Sequence, residues 1–161
     1  MYKSSKTNRE VRYWLMKSEP SCYSIDRLKS EKVGMWDGVR NYQARNMLRD
    51  EIKKGDIVLF YHSNEKPIGI VGEAVVSKEA YPDPTQFNPD AKHYDAKSAH
   101  ANPRWFAIDI RFKKKYKDII SLSEIKRDPN LNTMVVAKKG CRLSVQPVHR
   151  KHYDYISKLN Q

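Results

Sequence analysis

The chain has 161 residues and a formal net charge of +12 at pH 7, because 31 Lys and Arg side chains outnumber 19 Asp and Glu. This length favours one domain whose core needs no disulfide bonds, and the charge favours a polyanionic partner such as nucleic acid, or an anionic membrane surface. No apolar run approaches the roughly 20 residues of a membrane span, the N-terminus lacks a hydrophobic signal segment, and the two cysteines form no CxxC pattern. We therefore expect an intracellular protein with reduced thiols and no membrane partner, cytoplasmic in a prokaryote and nuclear in a eukaryote.

The first residues are polar, basic and non-periodic. This composition predicts a flexible basic arm over residues 1–11 and one domain over residues 12–161. The aromatic and apolar run YWLM predicts a first strand over residues 13–16. The strand is followed by a cation, a hydroxyl and a carboxylate, which a proline then separates from the next element; these groups are Lys17, Ser18 and Glu19.

The stretch GMWDGVRNYQARNMLR combines an aromatic ring, a turn, arginines and a helix start. Its Asp-Gly pair is typical of a turn, and Asn41 predicts the N-cap of a helix over residues 42–52. The unpaired N–H groups of that helix start and the charge of Arg40 favour an anion site with Trp36 as an aromatic wall. The alternative is that Trp36 is an ordinary core residue and that the arginines form a solvated face.

The remaining elements follow from periodicity and turn residues. Strands are predicted over residues 57–62, 68–76, 105–112 and 143–145. Helices are predicted over residues 24–31, 131–138 and 149–159, with a capping box that opens another at residue 121. Residues 81–104 predict a long surface loop, and the basic run 113–117 predicts a solvated turn or a patch that follows a nucleic-acid backbone. Gly69 and Gly72 predict a bend, a bulge or a close approach in their strand, so we expect an α+β pseudobarrel of about five to six strands with peripheral helices.

Several sequence blocks resemble successive motifs of the EVE domain family. The blocks are WLMKSEP (14–20), WDGVRNYQARN (36–46), YHS (61–63), AYPDPT (80–85), PRW (103–105) and RLSVQPV (142–148). The resemblance implies a PUA-like mixed β pseudobarrel, related to the YTH and ASCH domains. It also implies binding of a modified cytosine in DNA, such as 5-methylcytosine or 5-hydroxymethylcytosine, with the flipped base held in a pocket, and for some members an RNA modification.

The residue chemistry agrees with this implication. A flipped base needs an aromatic face and hydrogen bonds to its Watson–Crick edge, while phosphates are met by Arg and Lys. The candidates for the base pocket are Trp14, Ser18, Glu19, Trp36, Asp37, Asn41, Tyr42, Tyr61, His62, Ser63 and Ser144. The candidates for phosphate binding are Lys17, Arg40, Arg45, Arg142, Lys113, Lys114 and Lys115.

Each candidate also has a purely structural interpretation. Trp14 and Tyr61 lie inside predicted strands, and Asn41 is explained by its role as a cap. The second functional hypothesis is an RNA-binding module that reads a modified base, and the third is an enzyme with a Cys22–His62 nucleophile pair. No P-loop, GxGxxG or GxSxG motif is present. We expect a non-catalytic binding module without metal or cofactor, and DNA in preference to RNA as the partner.

Overall fold

One mixed β-sheet carries the fold in the computed structural model, which describes residues 9–160. The strands are β1 (Tyr13–Ser18), β2 (Val33–Trp36), β3 (Ile57–His62), β4 (Gly69–Pro82), β5 (Phe106–Ser121) and β6 (Val145–Val148). Their order is β2-β5-β4-β3-β1-β6, in which β1 and β3 pair in parallel and the other neighbours pair antiparallel. The predicted α+β fold class is confirmed.

Helices surround this sheet. They are α1 (Ile25–Glu31), α2 (Tyr42–Asn46) with a π-helical continuation (Met47–Glu51), α3 (Leu122–Arg127) and α4 (Arg150–Leu159), with 3₁₀ turns at Pro84–Phe87 and Val135–Ala137. The predicted caps are confirmed: Ser24 accepts a hydrogen bond from the Arg27 N–H, Asn41 accepts one from the Ala44 N–H, and a capping box opens α3 at Ser121. These side chains satisfy N–H groups that the helix itself cannot pair.

The core lies on both faces of the sheet. One cluster contains side chains of all six strands, including Trp36 of β2 and Val145 of β6, which are the two edge strands. Because both edges contribute to one cluster, the sheet is curved around it, as a pseudobarrel requires. The opposite face packs Leu15 and Tyr61 against Ile125 of α3 and other side chains of the C-terminal region.

Two glycines of β4 allow this curvature, as predicted. A Cβ on Gly69 would lie 2.2 Å from the carbonyl oxygen of Ile120, and one on Gly72 would lie 2.4 Å from that of Lys114. The β4–β5 register shifts between Ile70 and Gly72. Both positions therefore need the absence of a side chain, because the paired strand approaches too closely.

Several boundaries predicted from the sequence are wrong. The basic run 113–117 is neither a turn nor a loop, because β5 continues through it to Ser121. The predicted helix 131–138 is only a 3₁₀ turn at Val135–Ala137, although Leu131 and Met134 are buried as the helical spacing suggested. β2 was not predicted, β4 runs on to Pro82, and β6 lies later than the predicted strand 143–145.

The chain is anchored where the predicted arm ends. Arg9 donates to both carboxylate oxygens of the buried Asp56 at 2.7 and 3.1 Å, and the Arg12 N–H donates to the same carboxylate at 3.1 Å. Residues 1–8 of the predicted arm lie outside the described residues. Within residues 9–160 no helix is both long and apolar enough to cross a membrane.

Candidate nucleic-acid interface

A cavity of about 580 Å³ opens where the end of β1, helix α1, strand β2 and the turn after β2 meet. Parallel β1 and β3 place polar strand ends at this part of the sheet, and the loop between β4 and β5 closes one side with His93. The structure brings together six of the sequence-predicted residues around it: Lys17, Ser18, Trp36, Asp37, Arg40 and Ser144. Its size lies within the roughly 300–1,000 Å³ of pockets for small ligands.

Aromatic rings form one wall of the cavity. The indole of Trp36 is 6% exposed and packs edge-on against Phe60, with the ring centroids 5.4 Å apart. Tyr23 meets Trp36 at 6.4 Å and 65°, and its hydroxyl donates to Glu31 at 2.8 Å. Tyr23 reaches this position only because residue 34 is glycine, where a Cβ would lie 1.9 Å from the Tyr23 hydroxyl oxygen.

Polar groups line the side opposite the aromatic wall. The Lys17 N–H donates to the Ser144 carbonyl at 2.9 Å, which joins β1 to the segment before β6. The Lys17 ammonium lies 3.5 Å from the Cys141 carbonyl and 5.7 Å from the Tyr61 ring centroid. Burial lowers the pKa of Lys17, and among residues 9–160 no carboxylate lies within 4 Å of its ammonium. The Lys17 ammonium is therefore partly desolvated and lies over the ring of Tyr61, on the face of the sheet opposite to Trp36 and Phe60.

A carboxylate lies at the mouth of the cavity. Although Asp37 is exposed, desolvation by the surrounding protein and repulsion from the Asp83 carboxylate raise its pKa, while His93 and Arg40 oppose the rise. Asp37 can accept hydrogen bonds from an amine in the cavity.

The loop that carries His93 is fixed by an Arg40–Asp83 ion pair. Arg40 directs all five of its N–H groups to protein acceptors, namely the Val39 and His93 carbonyls, the Asp83 carboxylate and the Thr85 hydroxyl. Asp83 is fully buried and also accepts from the Gly38 N–H at 2.8 Å. Gly38 has a φ of +74°, and a Cβ there would lie 2.8 Å from the His93 ring, so this turn needs glycine. Arg40, which was predicted to bind phosphate, serves to position the cavity wall.

Six predicted pocket residues do not line the cavity. Trp14 is buried and donates its indole N–H to Asp56 at 3.0 Å, and Tyr61 is buried in the cluster on the opposite face of the sheet. Asn41 caps α2. The remaining three each have an internal hydrogen bond: Glu19 accepts from Asn64 at 2.8 Å, His62 accepts from the Ile25 N–H at 3.1 Å, and the Ser63 N–H donates to the Ser18 carbonyl at 3.0 Å.

Tyr42 also lies outside the cavity lining, but it is exposed. Its ring stacks on that of Trp105, with centroids 4.9 Å apart and an interplanar angle of 26°. The guanidinium groups of Arg45 and Arg104 lie 4.7 and 5.6 Å from the Tyr42 centroid. We call these four side chains the Tyr42 cluster.

The predicted phosphate-binding residues separate into two groups. Lys113, Lys114 and Lys115 are paired within the protein, with Glu73, the Asn160 carbonyl and Asp26 respectively. Arg142 is exposed two residues before Ser144 of the cavity, and no ion pair to it is present within residues 9–160. The unpaired positive charge next to the cavity within residues 9–160 therefore comes from Arg142, with exposed lysines at residues 138 and 139 of the same segment.

A family model described as "EVE domain" matches residues 12–159 of this chain. The chain belongs to the EVE domain family. Thymocyte nuclear protein 1 of Gallus gallus is 41% identical over 169 residues, which cover 92% of this chain and 69% of that protein. A solved structure of a Pseudomonas syringae protein superposes with a TM-score of 0.89 at 43% identity, covering 92% of this chain and 99% of the other.

One of the similar structures contains DNA. It is a crystal structure of the human THYN1 protein in complex with DNA that contains 5-methylcytosine. It is 40% identical to this EVE domain, covers 93% of it and 98% of the human chain, and superposes with a TM-score of 0.85.

The sequence did not single out several residues that line the cavity of this EVE domain. Tyr23, Arg27 and Glu31 come from α1 and the turn before it, and His93 comes from the middle of the long loop. Tyr23 follows a turn and shows no periodicity, so its position depends on the glycine at residue 34, which lies on another strand. The Asp-Gly turn after Trp36 was the available signal that the backbone there approaches another segment closely.

Proposed function

We propose that this EVE domain is a non-catalytic reader of modified bases in DNA, and that it holds a flipped base of the 5-methylcytosine type in the cavity beside Trp36. The observation that carries the proposal is the complex of the 40% identical human THYN1 with DNA containing 5-methylcytosine. We place this activity inside the cell, as the word "nuclear" in the name of the vertebrate relatives suggests.

The chemistry of the cavity suits a cytosine. The base edge offers an amine donor together with a ring nitrogen and a carbonyl as acceptors. Asp37 is available to accept from the amine, and the Ser144 hydroxyl is available as a donor, as is the Ser18 hydroxyl once it releases its 3.4 Å bond to the Glu19 carbonyl. A stack on an aromatic ring contributes about 1–3 kcal/mol, which is comparable to the few kcal/mol needed to unstack a base from a duplex. Discrimination between bases must therefore come from these polar groups.

The charge supports a nucleic acid as the partner. The net charge of +12 provides a long-range attraction for phosphates, and Arg142 lies close to the cavity on an exposed segment. Each phosphate contact releases counterions, so we expect the affinity to fall steeply as the salt concentration rises.

The surroundings of Cys22 and His62 favour binding over thiol catalysis. The Cys22 thiol donates a hydrogen bond to the Glu19 carboxylate at 3.9 Å. The imidazole Nε2 of His62 accepts from the backbone N–H of Ile25 and is thereby occupied. His62 is therefore not free to act as the base of a Cys22–His62 pair.

The test is a titration of short duplexes that differ at one base, with cytosine, 5-methylcytosine, 5-hydroxymethylcytosine or N6-methyladenine, and of RNA oligonucleotides with the same modifications. We expect tighter binding of a modified cytosine than of cytosine in DNA. Asp37→Asn should weaken binding of the cytosine and modified-cytosine duplexes alike, because the amide replaces one acceptor for their common amine by a donor, while Asp50→Asn, an exposed control on the π-helical turn after α2, should bind as the wild type does. Equal binding to all duplexes would refute the proposal, and tighter binding to the modified RNA would replace it by the RNA alternative.

A further inference from the structure

The Tyr42 cluster has an unusual combination of exposure and order. Tyr42 is the first residue of α2 and is 47% exposed, although its neighbour in the stack, Trp105, is only 6% exposed. Its hydroxyl accepts a hydrogen bond from Arg104, and the Trp105 indole N–H donates to Asp95 at 2.7 Å. Both rings are therefore held in place from their polar ends.

The outer face of the Tyr42 ring is open. If a guanidinium covered that face, its distance to the Trp105 centroid would be roughly its distance to the Tyr42 centroid plus the spacing between the two ring centroids. Arg45 and Arg104 instead lie 6.0 and 5.8 Å from the Trp105 centroid, close to their distances of 4.7 and 5.6 Å from Tyr42. Both guanidinium groups thus lie beside the pair of rings and leave the face that points away from Trp105 uncovered.

The charge around this ring is positive. Arg104 is paired with Asp95 at 3.2 Å, whereas the partners of Arg45 within residues 9–160 are neutral, namely the Arg104 carbonyl and the Asn46 amide oxygen. Proteins that bind single-stranded nucleic acids use an aromatic face bordered by Arg side chains, because a base stacks on the ring while the cations contact the phosphates.

The cluster is also close to the cavity. The Arg40 guanidinium, whose side chain lines the cavity, lies 5.4 Å from the Trp105 centroid, and Tyr42 stacks on the same ring at 4.9 Å. The Tyr42 ring is therefore at most roughly 10 Å from that guanidinium, about three base steps of a duplex strand at 3.4 Å each.

We propose that the open face of Tyr42 is a stacking platform for a second nucleobase, within a few nucleotides of the base held in the cavity. This inference rests on the proposed function, since it assumes that DNA occupies the cavity. Arg45 binds the backbone phosphate beside this second base, and Arg104 holds the Tyr42 hydroxyl so that the ring keeps its orientation.

The experiment compares four proteins: the wild type, Tyr42→Ala, Tyr42→Phe and the control Tyr94→Ala, which removes a ring of similar exposure, 44%, from the loop between β4 and β5. Each is titrated with a 5-methylcytosine duplex that carries unpaired nucleotides beside the modified base, and with its cytosine counterpart, so that the second base need not first be unstacked. We expect Tyr42→Ala to weaken binding of both by roughly 5- to 150-fold, the range of one base stack. Tyr42→Phe and Tyr94→Ala should bind nearly as the wild type does, because the first keeps the aromatic face and the second lies outside the cluster.

A scan with abasic nucleotides locates the contact. We expect the wild type to lose affinity when the base at one position near the 5-methylcytosine is removed, and Tyr42→Ala to be insensitive to that removal. Equal affinities of Tyr42→Ala and Tyr94→Ala, or equal sensitivity of the wild type and Tyr42→Ala to the abasic position, would overturn the platform. The ratio of the affinities for 5-methylcytosine and cytosine reports on the cavity instead: if it is one in the wild type, the proposed function fails, while the loss of overall affinity in Tyr42→Ala still tests the platform.

Discussion

Replacement of Asp83 by asparagine should destabilise the protein strongly, because this buried carboxylate accepts four hydrogen bonds. Its Oδ1 accepts from the Thr85 N–H at 2.8 Å and from the Thr85 hydroxyl at 2.6 Å. Its Oδ2 accepts from the Gly38 N–H at 2.8 Å and from Arg40 Nη1 at 2.9 Å. In the variant an amide NH₂ replaces Oδ2 and faces two donors.

The magnitude follows from the two bonds that are lost. A hydrogen bond to a charged group contributes about 1.5–3 kcal/mol, and breaking a buried ion pair costs about 3–5 kcal/mol. We therefore expect the free energy of unfolding to fall by about 3–5 kcal/mol, a large share of the roughly 5–15 kcal/mol typical of a domain.

The assay is urea unfolding at pH 7, read as a shift of the midpoint at constant m-value. The matched control is Asp50→Asn, since Arg49 and Asp50 form an ion pair of similar length, 2.8 Å, in which both side chains are exposed. An exposed pair contributes little, so the control should unfold close to the wild type. If Asp83→Asn has the same midpoint as this control, the buried network does not stabilise the fold and our account of the loop is wrong.

Low pH gives the same prediction an independent test. Burial alone would raise the pKa of Asp83, but hydrogen bonds from Thr85, Gly38 and Arg40 outweigh it and the pKa is lowered. A carboxyl group with a lowered folded-state pKa contributes stability above its unfolded pKa, and this contribution is lost as the pH falls through the folded value. The difference between the wild type and Asp83→Asn should therefore shrink below about pH 4.

Three further predictions concern the cavity, the opposite face and the pH response. Gly34→Ala would place a carbon 1.9 Å from the Tyr23 hydroxyl oxygen, so the Tyr23 ring must leave the cavity wall. We expect weaker binding of 5-methylcytosine DNA with an unchanged far-UV circular dichroism spectrum. An unaltered affinity would contradict a role for the Tyr23 ring. Glu73→Gln removes one acceptor from a buried carboxylate that accepts from two tyrosine hydroxyls at 2.7 and 2.8 Å. We expect the free energy of unfolding to fall by about 1–3 kcal/mol, measured as a lower thermal midpoint. An unchanged midpoint would argue against a stabilising role of this carboxylate. Burial lowers the pKa of His62 below 6.5, so protonation costs more in the folded state, and the stability of the protein decreases as the pH falls from about 6.5 towards the lowered value. His62→Gln can still accept from the Ile25 N–H without titrating, so its urea midpoint should decrease less than that of the wild type between about pH 7 and pH 5. Identical pH profiles would exclude His62 as the cause.

The sequence predicted those elements whose signal is local. Ser24, Asn41 and the Ser121 capping box each mark a helix start within four residues, and the run IVLFYH predicts β3 without reference to other strands. The family blocks predicted the fold class, since they extend from the first strand to the last one. Gly69 and Gly72 also predicted a close approach, because a glycine inside a strand otherwise weakens it.

The elements that were missed depend on distant partners. β5 continues through the KKKYK run because β4 pairs with Lys114 and Lys115 there, and the register shifts on either side of these two residues remove the simple alternation expected of a strand. The spacing of Leu131 and Met134 is helical, yet both lie on an irregular segment that packs their side chains into the core. Trp14 and Asn41 have side chains that could bind a base, but Trp14 donates to Asp56 and Asn41 accepts from the N–H of Ala44 at the start of α2. Residue type alone does not reveal these internal hydrogen bonds.

The hydrogen bonds of Arg40 indicate that the cavity wall forms during folding and not during binding. All five of its N–H groups already bind protein acceptors, so the wall that includes His93 is complete before any nucleic acid arrives. No segment of this wall has to become ordered upon association, and the conformational entropy lost there is part of folding instead. Under the proposed function, the association rate should consequently depend on how readily a duplex opens at the target nucleotide, with little contribution from rearrangement of the protein.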